Sequence, residues 1–510
     1  MKDTAADLFV RLHPEDNVVV ARSQLSVGVV LPGDIKVMQP IPMGHKLATS
    51  SIREGEVIRK YGQIIGFASK DIAPGDHLHT HNVMMKDFGR DYATGSDVRP
   101  TQMLPDNERA TFQGYRRSDG RVGTRNFLGI LTTVNCSATV ARQIAEKMAR
   151  SGELDAYDNI DGVVALTHGT GCGMADSGDG FANLQRTVWG YARHPNFAGI
   201  LLVGLGCEVN HIDFLLEAYG IERSPLFRVM NIQDTGGTRK TVDAGCAYIK
   251  EMLPFAAKAR RERCAVSELV VALQCGGSDA YSGITANPAL GFAADLLVAH
   301  GGAAVLAETP EIYGAEHLLT RRAVSEQVAE KLIHRIRWWE DYTARNGGTL
   351  DNNPSPGNKA GGLTTILEKS LGAAAKGGTT NLVEVYRYGE QVEARGFVFM
   401  DTPGYDPASV TGQIAGGCNV VCFTTGRGSV SGYKPAPCIK IATNTSMFDR
   451  ISEDMDINCG AIIDGKISVE DMGREIFRHI IAVASGEPTK SEAQGFGDSE
   501  FVPWQIGAVM

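Results

Sequence analysis

Five short apolar runs in this chain each end in a loop that joins glycine to a reactive side chain. Residues 162–167 run into His168-Gly-Thr-Gly-Cys-Gly173, and 199–205 into Gly206-Cys207-Glu208. Residues 269–273 lead into Gln274-Cys-Gly-Gly-Ser-Asp279, 303–306 into Ala307-Glu308-Thr-Pro-Glu311, and 419–423 into Thr424-Thr-Gly-Arg-Gly428. Runs this short and apolar, with no polar face, read as strands buried on both sides. Residues 127–134 and 227–232 read the same way, and 138–150 reads as a helix closed by Gly152. A basic stretch, 250–263, reads as a helix separating two such blocks. Strand, glycine loop and helix in alternation specify an α/β fold with mostly parallel sheets. In such sheets ligands bind at the carboxyl ends of the strands, and glycine there lets a ligand reach the backbone N–H groups. Five such loops predict one composite site.

The first 90 residues follow another rule. β-rich runs at 17–21, 34–38, 57–58, 63–67 and 77–81 are separated by Pro32-Gly33-Asp34, Glu54-Gly55-Glu56 and Pro74-Gly75-Asp76. They predict a small β-rich lid or accessory domain. The stretch 86–112 is polar and lacks apolar periodicity. The division is therefore 1–90 β-rich, 91–112 linker, 113–265 a second α/β domain and 266–510 a C-terminal α/β catalytic domain. Glycine, at 59 of 510 residues against 20 prolines, fits tight backbone approaches rather than disorder.

Charge and motif content exclude several functions. A net charge of −9 argues against nucleic acid or an anionic membrane as the main partner. The longest apolar run, 197–207, is too short to span a bilayer, and no signal peptide is visible, so a cytoplasmic location is expected. Ten cysteines in that setting are expected to be reduced, and none sits in a CxxC zinc pattern. No P-loop, no dinucleotide fingerprint with a following acid and no GxSxG elbow occurs.

Several residue types point to chemistry. His77, His79 and His81 alternate, so an extended strand would align three imidazoles on one face. That suits a transition metal or proton transfer, against the blander reading of unconnected histidines on a half-exposed strand. His45 is a fourth candidate from the same region. Lys440 lies in an apolar run, where lysine is rare unless paired or catalytic. Asn353-Pro-Ser-Pro-Gly-Asn-Lys359 is a stiff loop carrying Asn358 and Lys359.

Longer motifs then carry a resemblance. Gly44-His-Lys46, Tyr61-Gly62 with Ile65-Gly66, and Gly114-Tyr-Arg-Arg-Ser-Asp-Gly-Arg-Val-Gly-Thr-Arg-Asn126 come first in the chain. Gly204-Leu-Gly-Cys-Glu208, Gln274-Cys-Gly-Gly-Ser-Asp-Ala-Tyr-Ser-Gly-Ile-Thr-Ala-Asn-Pro288, the 353–359 loop and Thr424–Gly428 follow. Over nearly its full length the chain resembles the altronate/galactarate dehydratases, which remove water from sugar acids. The resemblance implies an N-terminal SAF domain followed by two larger domains. His77-Leu-His-Thr-His-Asn82, Gly314-Ala-Glu-His-Leu-Leu319 and Arg387-Tyr-Gly-Glu390 look like the altronate branch, while Met455-Asp-Ile-Asn-Cys-Gly460 looks like the galactarate branch.

The implied reaction takes D-altronate to 2-keto-3-deoxy-D-gluconate. A base removes the C2 proton, a cation or several donors hold the enediolate-like oxygens, and an acid helps the C3 hydroxyl leave. The resemblance implies a divalent metal, Fe²⁺ or else Mn²⁺. By residue chemistry its candidate ligands are His45, His79 and His81, with Cys172, Cys207 and Cys275 as alternatives, and an iron–sulfur cluster is a lesser option. Arg427 suits the substrate carboxylate because its planar fork binds two oxygens. Lys46, Ser278, Asn287, Asn358 and Thr425 are further substrate-binding candidates. Lys359 or Lys440 is the candidate base, and Glu208, Asp279 or Glu308 the acid. The expected partner is a small anionic sugar acid, and association into a homo-oligomer is left open. Two rivals remain at this point: a sugar-acid sensor, and a lyase expelling another β-substituent such as sulfite.

Overall fold

The computed structural model describes residues 8–507. Its N-terminal part is antiparallel. Val18–Ala21, an all-buried run of three β-branched valines and an alanine, pairs with Phe9–Val10 on one side and Lys46–Ala48 on the other, and Lys46–Ala48 pairs with His77–Leu78. Val57–Lys60, Gln63–Ala68 and Val83–Met84 form a second small sheet. Ile58, Ile65, Leu78 and Val83 belong to the same apolar core as the C-terminal strands, so this part is packed onto the body of the molecule.

Two expectations change here. Residues 77–81 are not one strand: it stops at Leu78, and 79–82 form a turn. The Asn82 side chain accepts the backbone N–H of His79, an Asx contact that competes with strand extension. The basic stretch 250–263 is not one helix either. A helix, Thr238–Ala256, ends there, and Arg261–Ala265 is a strand paired with Thr111–Arg116.

Beyond that small antiparallel sheet, which Val122–Gly123 completes, two parallel sheets form the body. The smaller has the order Gly162–Leu166, Phe127–Thr132, Phe197–Gly204, Phe227–Asn231, with all pairs parallel. Helices Ala138–Arg150 and Thr238–Ala256 cover one core and Gly178–Ala192 the other. The larger has the order Leu382–Tyr386, Gly396–Met400, Ala303–Leu306, Val270–Cys275, Val420–Thr425, Cys438–Ala442, Ile457–Asn458, again wholly parallel. Its inner strands are buried along their whole length, which is why they read as unbroken apolar runs. The expected α/β class with mostly parallel sheets behind a β-rich N-terminal part is what the chain adopts.

Candidate active site

Strand succession in the large sheet reverses at its middle. From Val270–Cys275 the chain steps to one side, and from Val420–Thr425 it continues on the other. Such a reversal leaves a crevice beyond the carboxyl ends of the two strands. The loops 276–279 and 426–428 emerge there and are stitched together, because the backbone N–H groups of Gly426 and Arg427 donate to Gly277 O at 3.1 and 2.9 Å. A Cβ at residue 426 would overlap the Asp279 carboxylate, so glycine is what allows that acid under the loop. Asp279 accepts from the N–H groups of Tyr281 and Ser282, the hydroxyls of Ser282 and Thr443 and the Asn444 amide, at 2.9–3.1 Å. Burial raises its pKa against the pull of those donors.

The N-terminal part brings its histidines to the same place. Gly44 backs onto Ala280 and Tyr281. His45 Nδ1 lies 2.9 Å from His77 Nε2, and His45 Nε2 lies 3.4 Å from Ala360 O. The His79 ring stacks on His45 at 5.0 Å between centroids, and its Nε2 donates to Lys359 O at 2.8 Å. The exposed His81 ring stands 5.6 Å from His77. The turn at 79–82 thus gathers the imidazoles that strand alternation was expected to align. Burial, reinforced by the neighbouring imidazoles, pulls His45 down to about 4 and His77 to about 3, and burial also lowers His79. All three are neutral near pH 7.

Neutral imidazoles are what Fe²⁺ or Mn²⁺ takes as ligands. His45 and His77 suit such an ion: two ring nitrogens are close together, and Ala360 O meets the other His45 nitrogen, the outer contact that orients a ligating imidazole. Among the described residues no three of these imidazole nitrogens fall within 4.8 Å of one another. His79 and His81 therefore flank the pair.

Two buried ion clusters lie behind the crevice. In one, Glu368 takes Lys46 Nζ at 2.8 Å and Lys60 Nζ at 3.0 Å, tying the N-terminal part to helix Ile366–Ala374. Burial would raise the Glu368 pKa, but the two lysines hold it near 2; burial draws Lys46 down to about 8. In the other, Cys275, Glu308 and Glu311 group within 4.8 Å of one another. Lys376 Nζ sits 2.9 Å from Cys275 Sγ and 3.3 Å from Glu308, and Lys369 Nζ 2.7 Å from Glu311. Burial lifts the Cys275 thiol to about 12, and burial together with Glu311 lifts Glu308 to about 8. A metal held through Cys275 would have to displace ammonium groups already seated there.

The crevice thus collects His45, His79, Ser278, Asp279, Asn358, Lys359, Thr425 and Arg427 from among the expected residues. Asn358 donates to Ser278 O at 2.8 Å, and Thr425 Oγ1 accepts Gly428 N–H at 3.0 Å. Arg427 is exposed and Lys359 half-buried, and neither side chain is ion-paired among the described residues. Other expected residues stand elsewhere. Glu208 closes its own loop in the small sheet, accepting from Leu205 and Gly206 N–H at 3.1 and 2.7 Å and from Thr133. Lys440 is held by Ser431 O and Ser491 beneath Phe496. Asn287 joins Thr424 to Gly372 as a packing residue. Cys172 and Cys207 are exposed at the small sheet's edge, and Cys275 is buried in the large one. Sequence reasoning missed His77 as the partner of His45, and also Glu368, Lys369 and Lys376. The last three carried a signal: charges set in the otherwise small and apolar run 366–377.

Known proteins align with this chain throughout. The SAF domain of altronate/galactarate dehydratases matches residues 7–86. The second domain of D-galactarate dehydratase/altronate hydrolase matches 114–257, and the C-terminal domain of D-galactarate/altronate dehydratase matches 266–509. The chain is 38% identical to the altronate dehydratase of Bacillus subtilis (strain 168) over 495 residues, 96% of this chain and 97% of that one. It is 38% identical to the galactarate dehydratase (L-threo-forming) of Escherichia coli (strain K12) over 498 residues, 95% and 94% of the two chains. It is 35% identical to the altronate dehydratase of the same strain over 500 residues, 96% and 97%.

Proposed function

The chain belongs to the D-galactarate/altronate dehydratase family, a carbon–oxygen lyase acting on sugar acids, and from that premise we propose that its substrate is D-altronate and its product 2-keto-3-deoxy-D-gluconate. One observation carries the reading. The paired imidazoles of His45 and His77 share the crevice where the large sheet reverses with the loops that carry two uncommitted cations, Lys359 and Arg427. Overall identity does not separate altronate from galactarate. The cations favour a monoacid: Arg427 takes the single carboxylate, Lys359 is left for proton transfer, and a dicarboxylate would need a third.

His45 and His77 would hold a divalent metal, Fe²⁺ before Mn²⁺, which when bound supplies Lewis-acid stabilisation of oxygens on C1 and C2. The remaining work falls to side chains. Arg427 fixes the carboxylate through its two-pronged fork. The Lys359 amine takes the C2 proton. The ammonium so formed returns the proton to the departing C3 hydroxyl, which leaves as water, and the enol then tautomerises to the ketone. His79 fixes the Lys359 backbone through its bond to the carbonyl. Asp279 holds the crevice loops in register.

A panel of hexonates and aldarates, read as 2-keto-3-deoxy acid formed, tests the substrate: altronate should turn over fastest, and preference for galactarate overturns the choice. Chelation should abolish turnover and Fe²⁺ restore it; full activity in demonstrably metal-free protein removes the metal. Lys359→Ala should lower kcat by about 10²–10⁴-fold with little change in KM, the size of a lost general base.

A further inference from the structure

Three of the ten cysteines are exposed, Cys136, Cys172 and Cys207, and all three lie at one edge of the small parallel sheet. Each follows a different strand. Cys136 comes after Phe127–Thr132, Cys172 after Gly162–Leu166 and Cys207 after Phe197–Gly204, and these strands are neighbours with Phe127–Thr132 in the centre. Of the other seven, six are buried and Cys246 is intermediate. Thiols used only as packing groups belong in a core. These stand at the sheet edge where α/β proteins bind ligands.

The loops that carry them form one rigid unit. Asn135 N–H donates to Thr170 O at 2.9 Å, and Asn210 N–H to Gly171 O at 3.1 Å. The side chain of Asn135 donates to His168 O at 3.2 Å, and that of Asn210 to Thr133 O at 3.2 Å. Glu208 closes the third loop on Thr133 and on its own backbone. A Cβ at residue 171 would strike Thr133 O, so glycine at φ 104° lets the first two loops touch. Every one of these bonds is made within three residues of a thiol, and none uses a thiol. The scaffold is built around three cysteines, and the one side-chain contact to them is the exposed Gln233 amide, which donates to Cys207 Sγ at 3.4 Å and can swing away.

We propose that Cys136, Cys172 and Cys207 together bind an iron–sulfur cluster. Their sulfurs do not all lie within 4.8 Å of one another, unlike the ligand atoms at Cys275. A single tetrahedral ion with sulfur ligands at about 2.3 Å needs a tighter set than that. A multi-iron cluster is larger and is gripped from further apart. Cys136 also precedes the 13-residue helix Ala138–Arg150, whose amino end favours the negative charge of a thiolate-ligated cluster. On binding, each thiol loses its proton to solvent and its sulfur bonds one iron. A four-iron cluster with three protein ligands keeps one iron open to an oxygen ligand. The site is separate from the histidine crevice, and its existence does not depend on which sugar acid the enzyme uses.

The full-length protein, purified without oxygen and supplied with ferric iron, a dithiol that reduces part of it to ferrous, and sulfide, provides the test. Wild type should bind several irons, with about one acid-labile sulfide for each iron beyond any held by the histidine pair, and show broad visible absorbance bleached by dithionite. Cys136→Ser/Cys172→Ser/Cys207→Ser should lose the sulfide and the colour while keeping its circular dichroism, and Cys246→Ser should keep both. Wild type that acquires no acid-labile sulfide, whatever iron the histidine pair holds, overturns the proposal, as does a triple variant that retains the cluster. If the triple variant fails to fold, each single serine variant should still lower bound sulfide by at least half, and three unchanged single variants overturn the proposal.

Discussion

The two parallel sheets end in the same kind of loop and use it in opposite ways. Behind the carboxyl edge of the large sheet a cluster of reactive groups is buried and neutralised member against member. Cys275, Glu308, Glu311, Lys369 and Lys376 are each no more than 7% exposed. At the edge of the small sheet hydrogen bonds of the backbone, two asparagines and Glu208 do the holding, and the thiols are exposed. Identical glycine-rich sequence texture therefore serves as an interior electrostatic lattice in one place and as an outward-facing cradle in the other. What decides between them is the covering. The N-terminal part and helix Ile366–Ala374 cap the large sheet, whereas the exposed thiols of the small one have no such cap.

That contrast makes graded predictions. Lys369→Met should destabilise the protein by about 3–5 kcal/mol, because it leaves Glu311 buried without its partner. Calorimetric melting measures it, and a loss under 1 kcal/mol would mean that water reaches Glu311 at the large-sheet edge. Arg427→Ala comes next. Losing charge-assisted bonds worth about 1.5–3 kcal/mol should raise KM about 10–100-fold with the melting temperature unmoved. Acid should then separate the crevice from the rest. His45 and His77 bind protons less readily folded than unfolded, so their contribution falls as pH drops from about 6.5 toward 4 and 3. The Glu368 contribution is lost lower, from about 4.5 toward 2. His45→Gln/His77→Gln should flatten the upper limb of a stability–pH curve and leave the lower one, and an unchanged upper limb would contradict the burial of those rings. Smallest of all, the three cysteine-to-serine changes should alter the stability of metal-free protein by less than about 0.5 kcal/mol each, as surface substitutions do.

The repeating strand-and-glycine pattern made the α/β class and the strand ends legible from sequence, because strands buried on both faces leave an unambiguous apolar signature. The site was legible by residue type and less so by partner. His45, Asp279, Lys359 and Arg427 announced themselves in motifs. Nothing local says that His77 faces His45, since that contact depends on a register between Leu47 and His77 set by the sheet. Lys440 and Glu208 looked catalytic for a sound reason, charge in an apolar setting, yet each is satisfied by a neighbour far away in sequence or by its own loop. Cys136 follows a strand just as Cys172 and Cys207 do, but no glycine cluster marks it.

The Lys46–Glu368–Lys60 knot decides how substrate gets in. Swinging the N-terminal part away as a lid would strip one carboxylate from two buried ammonium groups at every turnover. At about 3–5 kcal/mol for breaking such a pair, an open form would be populated in roughly one molecule in a hundred to one in a few thousand. Traffic through the crevice then runs past side chains such as the exposed Arg427 and His81, and the histidine half of the site travels with the body as a fixed wall.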